Sequence, residues 1–351
     1  MRKIKLYTSR DYLSGIDYEP ILFPFWGKCP SELEHPLGGQ YEKYIQNGRN
    51  YFELSPIEEC DFVLWPESYQ EKNFEKVKAL AELAQKYGKS IIIFFNNDSS
   101  KLIDIPNAYI FRTSMYKSEQ RSNEFSLPCW SEDLFNYSNQ SLPLTKGGQK
   151  PIVCYCGYTK TIKDRIKDIL GRDYGIWRGI RYKAVKKLKH NHQIDTRFII
   201  RNDFWGGAYK KTGGLKPEEA KKVRTEYANN LISGDYALVT RGNGNFSFRF
   251  YEIFSLGRIP LFINTDACLP FEKFIDYKSL CVWVELEELK DIDKKLINYH
   301  RNIDLETLAR KQKLIRQIWE EWLSPDGFFK NFYRFFNLEP YEGSSDTPKT
   351  R

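Results

Sequence analysis

The stretch "VTRGNGNFSFRF", residues 239–250, decides the fold that the sequence predicts. It joins an apolar run, "YALVT" at 236–240, to an amphipathic segment, "FSFRFYEIFSLG" at 246–257, and "RIPLFI" follows at 258–263. The three segments predict a strand, a helix and a returning strand. Strands joined through a helix lie parallel, and open parallel sheets bind ligands beyond the carboxyl ends of their strands. The polar loop between the first strand and the helix is therefore predicted to face a ligand.

The residues of this loop and of the helix start predict an anion site. Gly242 and Gly244 allow the backbone to turn and to approach a ligand closely. The unpaired N–H groups and the positive dipole end of the following helix suit a phosphate, and Ser247 can cap the helix or donate to the anion. The guanidinium groups of Arg241 and Arg249 match phosphate oxygens, so together they can neutralise a departing diphosphate without a metal ion.

Arg249 and Glu252 are three residues apart and share one face of the predicted helix. The arginine can reach an anion from that face, and the carboxylate can reach hydroxyl groups. The alternative is an ordinary turn at "NGN" followed by a solvated Arg249–Glu252 pair, and spacing alone does not separate the two interpretations. The stretch has neither the Gly-Lys-Ser/Thr of a Walker loop nor the three spaced glycines of a dinucleotide-binding loop.

The whole chain of 351 residues alternates predicted strands and helices and is long enough for two domains. In the first part, "KIKLY", "DFVLW", "SIIIFF" and "AYIFRTS" predict strands, and "EKNFEKVKALAELAQKYGK" predicts a helix. In the second part, "PIVCYCG" and "TRFIIRND" predict strands, and "KPEEAKKVRTEYANNLISG" predicts a helix. The turn-rich segment 138–150 predicts a linker, so we expect domains at residues 1–148 and 149–340 and a flexible tail at 341–351.

Composition and charge indicate a globular protein with an anionic ligand or surface. The chain is 41% hydrophobic and 28% charged, and its net charge is +8. Its seven cysteines include no Cys-x-x-Cys, which favours reduced thiols and buried packing over a metal site. The basic segment 178–190 predicts an amphipathic helix, with contact to an anionic membrane as the alternative. No apolar run is long enough for a signal peptide or a membrane span, so we expect a cytoplasmic protein, peripheral at the inner face of the membrane if that helix binds lipid.

Residues 236–277, "YALVTRGNGNFSFRFYEIFSLGRIPLFINTDACLPFEKFIDY", resemble the nucleotide-sugar half of the exostosin family of glycosyltransferases. The resemblance lies in the order of the strand, Arg-Gly, Ser-Phe-Arg-Phe-x-Glu, Gly-x-Ile-Pro and Leu-Pro-Phe. It is looser in "FRTSMYKSEQRSNEFSLPCWSED" and "FIIRNDFWGG". It implies an α/β fold of GT-B type, in which two Rossmann-like domains with parallel sheets face each other across a cleft. It also implies inverting sugar transfer with no obligatory metal and no cofactor besides the nucleotide sugar.

The resemblance further implies roles for particular residues. Arg241 and Arg249 would hold the diphosphate, Ser247 would lie beside it, and Glu252 would bind ribose hydroxyls. Asp266 would touch the sugar, although a turn-capping aspartate is an equally good interpretation. The complete predicted donor-binding set is Arg201, Arg241, Gly242, Asn243, Gly244, Asn245, Ser247, Arg249, Glu252 and Asp266.

Inverting transfer needs a general base to take the proton of the acceptor hydroxyl. Asp98 and Glu67 each follow a predicted strand of the first domain, where ligand-facing loops lie, and Asp11 is a third candidate. Each of these carboxylates can equally be a surface group or a helix cap.

The predicted partners are a nucleotide diphosphate sugar, UDP-linked, and a saccharide or lipid-linked glycan acceptor in surface polysaccharide synthesis of a bacterial type. One alternative is a fucosyltransferase of the same architecture that uses a GDP-linked donor. Another is a nucleotide-sugar-binding protein without turnover. No nucleic-acid reader motif is present, so a nucleic-acid partner is not expected.

Overall fold

The computed structural model describes residues 3–35, 37–139, 141–145, 147–159, 176–201, 209–210 and 214–338. The strands are β1 (Ile4–Tyr7), β2 (Phe52–Leu54), β3 (Phe62–Leu64), β4 (Ser90–Phe95), β5 (Ala108–Arg112), β6 (Glu124–Ser126), β7 (Ile152–Tyr158), β8 (Asp195–Arg201), β9 (Tyr209–Lys210), β10 (Gly214–Leu215), β11 (Tyr236–Val239), β12 (Ile259–Asn264) and β13 (Val282–Glu285). The helices are α1 (Phe23–Trp26), α2 (Pro30–Leu33), α3 (Glu42–Asn47), α4 (Phe74–Lys86), α5 (Ile176–Lys189), α6 (Pro217–Ile232), α7 (Phe248–Ser255), α8 (Tyr277–Leu280), α9 (Ile292–Arg301), α10 (Leu305–Ile318) and α11 (Pro325–Lys330).

Two parallel sheets organise the chain. The first has the strand order β2-β1-β3-β4-β5-β6, and the second has the order β13-β12-β11-β7-β8. Every neighbouring pair in both sheets is parallel. The predicted α/β fold class, with two parallel sheets and helices as in a GT-B-like protein, is therefore confirmed.

The strand order creates one crevice at the carboxyl edge of each sheet. In both sheets the chain moves outward from the first strand to the second and then returns to the other side of the first, as in the flavodoxin-like order. In the first sheet, the chain connections that follow β1 and β3 run to opposite sides of this pair of strands. In the second sheet, the connections that follow β7 and β11 do the same. These two places are where a doubly wound sheet binds its ligands.

The strands predicted from unbroken apolar runs are buried at the centres of the sheets. In β4 the side chains from Ile91 to Phe95 are buried, and helix α4 packs its apolar face over that sheet. In the second sheet β11 is buried along its whole length. A strand covered on both faces has no solvated side, which is why these segments lack polar alternation.

The C-terminal end of the described chain returns to the first sheet. The ring of Phe332 lies 4.7 Å from Phe111 and 5.7 Å from Phe52, measured between ring centroids. Phe336 packs against Phe62 at 4.3 Å, and Phe329 lies near Phe52 as well. The last part of the predicted second domain thus completes the core of the first sheet.

Several elements differ from the sequence prediction. Strands β2, β6 and β13 were not predicted, because runs of three or four residues with mixed burial carry little periodic signal. The predicted helix at 246–257 is confirmed but runs only from Phe248 to Ser255. The described part of the predicted linker 138–150 contains no helix or strand. The exact domain limits stay predictions, and the predicted tail and the whole "NDFWGG" segment, residues 202–207, lie outside the described residues.

The cysteines are packed in the interior, and the basic helix has the apolar face of an amphipathic helix. All seven cysteines are buried and free, Cys154 and Cys156 among them. Helix α5 buries Ile180, Ala184 and Leu188 as its apolar face. In the described part of the chain, none of the helices has the length and apolar character that crossing a membrane requires.

Replacing Phe332 by alanine should strongly destabilise the protein, because this fully buried ring joins the C-terminal helices to the first sheet. We expect a loss of about 3–5 kcal/mol in the free energy of unfolding, measured by chemical denaturation. Phe248→Ala is the control, since that side chain is 50% exposed and should cost about 0.5 kcal/mol. Equal effects of the two changes would contradict this packing role.

Candidate anion-binding site

The predicted anion-binding arginines lie at the crevice of the second sheet. Arg241 lies two residues after the end of β11, and Arg249 lies in the first turn of α7. The Nη2 atom of Arg249 donates to the carbonyl oxygen of Cys156 in β7, at 2.7 Å. The two arginines therefore border the gap between β7 and β11, where the strand order changes direction.

Aromatic rings hold the guanidinium group of Arg249. Its central carbon lies 4.6 Å from the ring centroid of Tyr155 and 5.8 Å from that of Tyr227. Gly157 makes room for it, because a Cβ atom at that position would lie 2.7 Å from Nη2. Stacking of this kind keeps the charged group in place without neutralising it.

The guanidinium group of Arg241 is held from two sides. Its Nη1 atom donates to the hydroxyl of Tyr116 at 2.8 Å, and its Nη2 atom donates to the carbonyl oxygen of Asn243 at 3.0 Å. Arg181 of α5 fixes the backbone below, because it donates to the carbonyl oxygens of Arg241 and Tyr158 and to the hydroxyl of Thr240. Arg181 thus connects the carboxyl ends of β7 and β11.

Neither arginine is neutralised by a direct partner. Among the described residues, Arg241 and Arg249 form no ion pair with a carboxylate within 4.0 Å. The Nε atom of each arginine is buried and has no hydrogen-bond acceptor among the residues that the structure describes. Two fixed guanidinium groups with unused donors are suited to an anion with several oxygens, such as a diphosphate.

Glu252 lies in a buried polar network below Arg249. One of its carboxylate oxygens forms an ion pair with Arg224 at 2.7 Å, and the other accepts a hydrogen bond from Tyr227. Arg224 also pairs with Glu132. Burial alone would raise the pKa of Glu252. Arg224, Tyr227 and Arg249 together lower the pKa by more than burial raises it, so the carboxyl group stays ionised at neutral pH. Arg249 and Glu252 share a helix face as predicted. Glu252 is buried and Arg249 is partly buried, so the pair is not solvated, and the ribose contact stays a prediction.

Ser247 precedes the first residue of α7 and has extended backbone angles, as an N-cap residue does. Its side chain makes no capping hydrogen bond to the helix. The N–H groups of the first turn lack that acceptor, and the helix dipole adds positive potential there. The predicted place of Ser247 at the helix start is thus observed, and its contact with an anion stays a prediction.

The glycine-containing loop faces the first sheet. The backbone N–H of Gly244 donates to Asp98, and the side chain of Asn243 donates to the other oxygen of that carboxylate, each at 3.2 Å. Asn245 donates from its backbone to the hydroxyl of Ser114 at 3.0 Å and from its side chain to a carbonyl oxygen of the same segment. The N–H of Gly242 donates within the loop. Contacts of Gly242, Asn243, Gly244 and Asn245 with a nucleotide sugar stay predictions. The backbone N–H groups of Gly242, Gly244 and Asn245 and the side-chain amides of both asparagines already donate to protein groups.

Asp266 belongs to the same contact region, which we call the seam: residues 98 and 114–118 of the first part against residues 241–245 and 266–268 of the second. Its carboxylate accepts from the backbone N–H of Ser118 at 3.1 Å, and its carbonyl oxygen accepts from that of Lys117 at 2.9 Å. Asp266 therefore caps a segment of the other sheet rather than its own turn, and its sugar contact stays a prediction.

Arg201 forms an ion pair with Glu226 of α6 at 2.5 Å.

The three candidate bases have different surroundings. Asp98 is exposed and touches the Gly244 loop, as described above. Glu67 is buried beside β3 and accepts from the backbone of Ser14 at 3.0 Å and from the side chain of Asn73. The structure therefore brings Asp98, but not Glu67, into direct contact with the predicted donor loop. Asp11 is exposed. Its carboxylate accepts a hydrogen bond from the Ser9 hydroxyl, and its backbone N–H donates to the same hydroxyl.

Sequence reasoning missed most of the residues that support the site. Tyr116, Tyr155, Arg224 and Tyr227 lie on other elements than Arg241 and Arg249, so no local spacing connects them with either arginine. It also missed Glu19, a buried carboxyl group bonded to Asn96, whose pKa burial raises to about 8. A carboxyl group with that pKa keeps its proton at neutral pH and cannot then act as a base.

Residues 175–299 match the family model of the exostosin GT47 domain, and this segment includes Arg241, Arg249 and Glu252. The chain is 29% identical to Exostosin-1 of Drosophila melanogaster over 146 residues, 41% of this chain and 19% of that protein. It is 25% identical to Exostosin-1a of Danio rerio over 227 residues, 63% of this chain and 28% of that protein. It is 33% identical to the Exostosin-1 homolog of Caenorhabditis elegans over 78 residues, 22% of this chain and 20% of that protein. The matched regions span less than a third of the length of these curated relatives. The resemblance predicted from residues 236–277 is confirmed by these matches.

Replacing Gly244 by alanine should weaken the seam. A Cβ atom there would lie 2.9 Å from the backbone of Asp98 and 2.6 Å from the ring of Phe246, so one of them must move. We expect a loss of about 1–3 kcal/mol in the free energy of unfolding by chemical denaturation. Gly242→Ala is the matched control, because its added Cβ would meet nothing closer than 3.5 Å and should change stability by less than about 1 kcal/mol. A tolerated Gly244→Ala would show that the loop does not need this close approach.

Proposed function

We propose that this chain, which carries an exostosin GT47 domain, is an inverting glycosyltransferase that takes its sugar from a nucleoside diphosphate sugar. The observation that carries the proposal is the pair of guanidinium groups at the crevice of the second sheet. Both are fixed by neighbouring groups, neither has an ion-pair partner among the described residues, and each keeps a buried Nε without an acceptor. A diphosphate can supply oxygens to both.

In the proposed reaction, the acceptor hydroxyl oxygen forms a bond with the anomeric carbon while the bond from that carbon to the diphosphate oxygen breaks. Negative charge grows on the leaving diphosphate as this bond lengthens. Arg241, Arg249 and the N–H groups at the start of α7 are fixed before the reaction, so they stabilise that charge without rearranging. Inversion follows because the acceptor attacks from the side opposite the leaving group.

Asp98 is the candidate for the general base in this proposal, and Glu67 is the alternative. Asp98 comes from the first sheet and contacts the loop that precedes α7, so it lies at the boundary between the two parts. A saccharide or lipid-linked glycan hydroxyl that enters along this boundary would give its proton to Asp98. The acceptor class, a role in surface polysaccharide synthesis, a cytoplasmic location and contact of α5 with anionic lipid are parts of the proposal that rest on sequence patterns.

The nucleobase is proposed to be uracil on the basis of the family resemblance alone. A GDP-linked fucosyl donor would use the same arginines and differ only in the base pocket. A binding protein without turnover would also keep Arg241 and Arg249, but it would not need Asp98. Measured transfer therefore separates an enzyme from a binding protein.

Replacing Arg249 by alanine should weaken the binding of uridine diphosphate by about 30-fold or more, because one partner of a partly buried charged contact is removed. Isothermal titration calorimetry measures the affinity, and guanosine diphosphate is titrated in parallel. Arg310→Ala is the control, since Arg310 is exposed on α10 and its side chain donates a hydrogen bond to Thr307 of the same helix. Unchanged affinity of Arg249→Ala for both nucleotides would refute the proposed phosphate site.

Replacing Asp98 by asparagine should lower sugar transfer by about 100-fold or more and leave nucleotide affinity within a few-fold of the original. Asparagine keeps an oxygen for the Gly244 N–H but cannot accept a proton at neutral pH. Transfer of a radiolabelled sugar to glycan acceptors measures the rate, and Glu67→Gln is assayed beside it. If Asp98→Asn transfers sugar normally while Glu67→Gln does not, the base is Glu67.

A further inference from the structure

The orientation of Arg241 depends on a residue of the other sheet. We infer that Tyr116, which lies after β5, is a positioning residue that holds the Arg241 guanidinium group ready for the diphosphate, so that the anion site is assembled from both parts of the chain. This inference rests on the proposed function, because it assigns Tyr116 a role through a phosphate-binding arginine.

Tyr116 makes two contacts with Arg241. Its hydroxyl accepts a hydrogen bond from Nη1 at 2.8 Å, and its ring centroid lies 5.5 Å from the central guanidinium carbon. Because Nη2 is bound to the carbonyl oxygen of Asn243 at 3.0 Å, both ends of the guanidinium plane are fixed. The buried Nε has no hydrogen-bond acceptor among the described residues, and Nη1 and Nη2 each use only one of their two N–H groups in these contacts.

Tyr116 is itself fixed by the second part of the chain. Its backbone forms an isolated antiparallel bridge with Ala267, and the next residue, Lys117, donates from its backbone to Asp266 at 2.9 Å. The preceding Ser114 accepts from the backbone of Asn245 at 3.0 Å. Tyr116 therefore stays in one place relative to Arg241 only while the seam is closed.

A further buried arginine makes the supporting segment rigid. Arg112, at the end of β5, pairs with Glu124 at 2.8 Å and donates to the carbonyl oxygen of Ser114 at 2.9 Å. It also donates to the carbonyl oxygens of Ser99 and Lys101, in the loop that carries Asp98. The two segments of the first sheet that touch the Arg241 loop thus share one anchor.

The consequence is a preorganised cation. A free arginine side chain loses rotamer freedom when it binds phosphate, and that loss weakens binding. Tyr116 restricts the side chain before the ligand arrives, and its neutral hydroxyl leaves the charge of Arg241 intact. Loss of the hydroxyl should therefore weaken nucleotide binding even though Tyr116 acts through Arg241 rather than on the phosphate.

The test is the affinity of Tyr116→Phe for uridine diphosphate and guanosine diphosphate, measured by isothermal titration calorimetry. The variant keeps the ring and removes the hydroxyl, and we expect about 3- to 10-fold weaker binding. Tyr116→Ala should bind more weakly still, and Tyr87→Phe, at a residue that is 42% exposed, should bind normally. Melting temperatures within a few degrees of the original exclude unfolding as the cause.

A double-mutant cycle shows whether the effect passes through Arg241. In the Arg241→Lys background the guanidinium plane is gone, so Tyr116→Phe should have little further effect on affinity. An equal loss of affinity in both backgrounds would overturn this inference alone. So would normal nucleotide binding by Tyr116→Phe when Arg249→Ala binds weakly. Absence of nucleotide binding by the unaltered protein would overturn the proposed function and this inference with it.

Discussion

Two positive charges must remain unpaired inside a folded protein, and the rest of the site depends on that constraint. Arg249 is held by tyrosine rings and a strand carbonyl, and Arg241 is held by a tyrosine hydroxyl and a loop carbonyl. These neighbours orient the guanidinium groups without cancelling their charge. The nearby carboxylate of Glu252 is instead paired with Arg224, so it does not occupy the guanidinium group of Arg249.

The constraint also explains why the two parts of the chain are joined so closely. The loop before α7 would have exposed N–H groups if it stood alone, but Asp98 and Ser114 accept them. Buried polar groups cost free energy when they lack partners, so the first sheet stabilises the loop that carries Arg241. The C-terminal phenylalanines add an apolar connection, because Phe271 of the second part and Phe111 of the first both contact Phe335.

Sequence patterns were sufficient where the determining contacts are local. The apolar run at 236–240, the helix after it and the returning strand are separated by a few residues, and each appears close to its predicted position. Arg241 and Arg249 are brought to one crevice for the same reason, because a strand, a loop and a helix in sequence leave few geometries. Strands as short as β6 and β13 lack a periodic pattern, and their positions follow from pairing with distant partners.

The sequence by itself determined the α/β alternation, the family resemblance and the two arginines, because periodicity, glycine positions and motif order act over short separations. Only the tertiary structure decided that Asp98 meets the Gly244 loop, that Asp266 caps Ser118 and that Tyr116 holds Arg241. Each of these contacts joins residues more than 120 positions apart. Such pairs are selected by how two sheets pack against each other, and no local pattern in the chain records that packing.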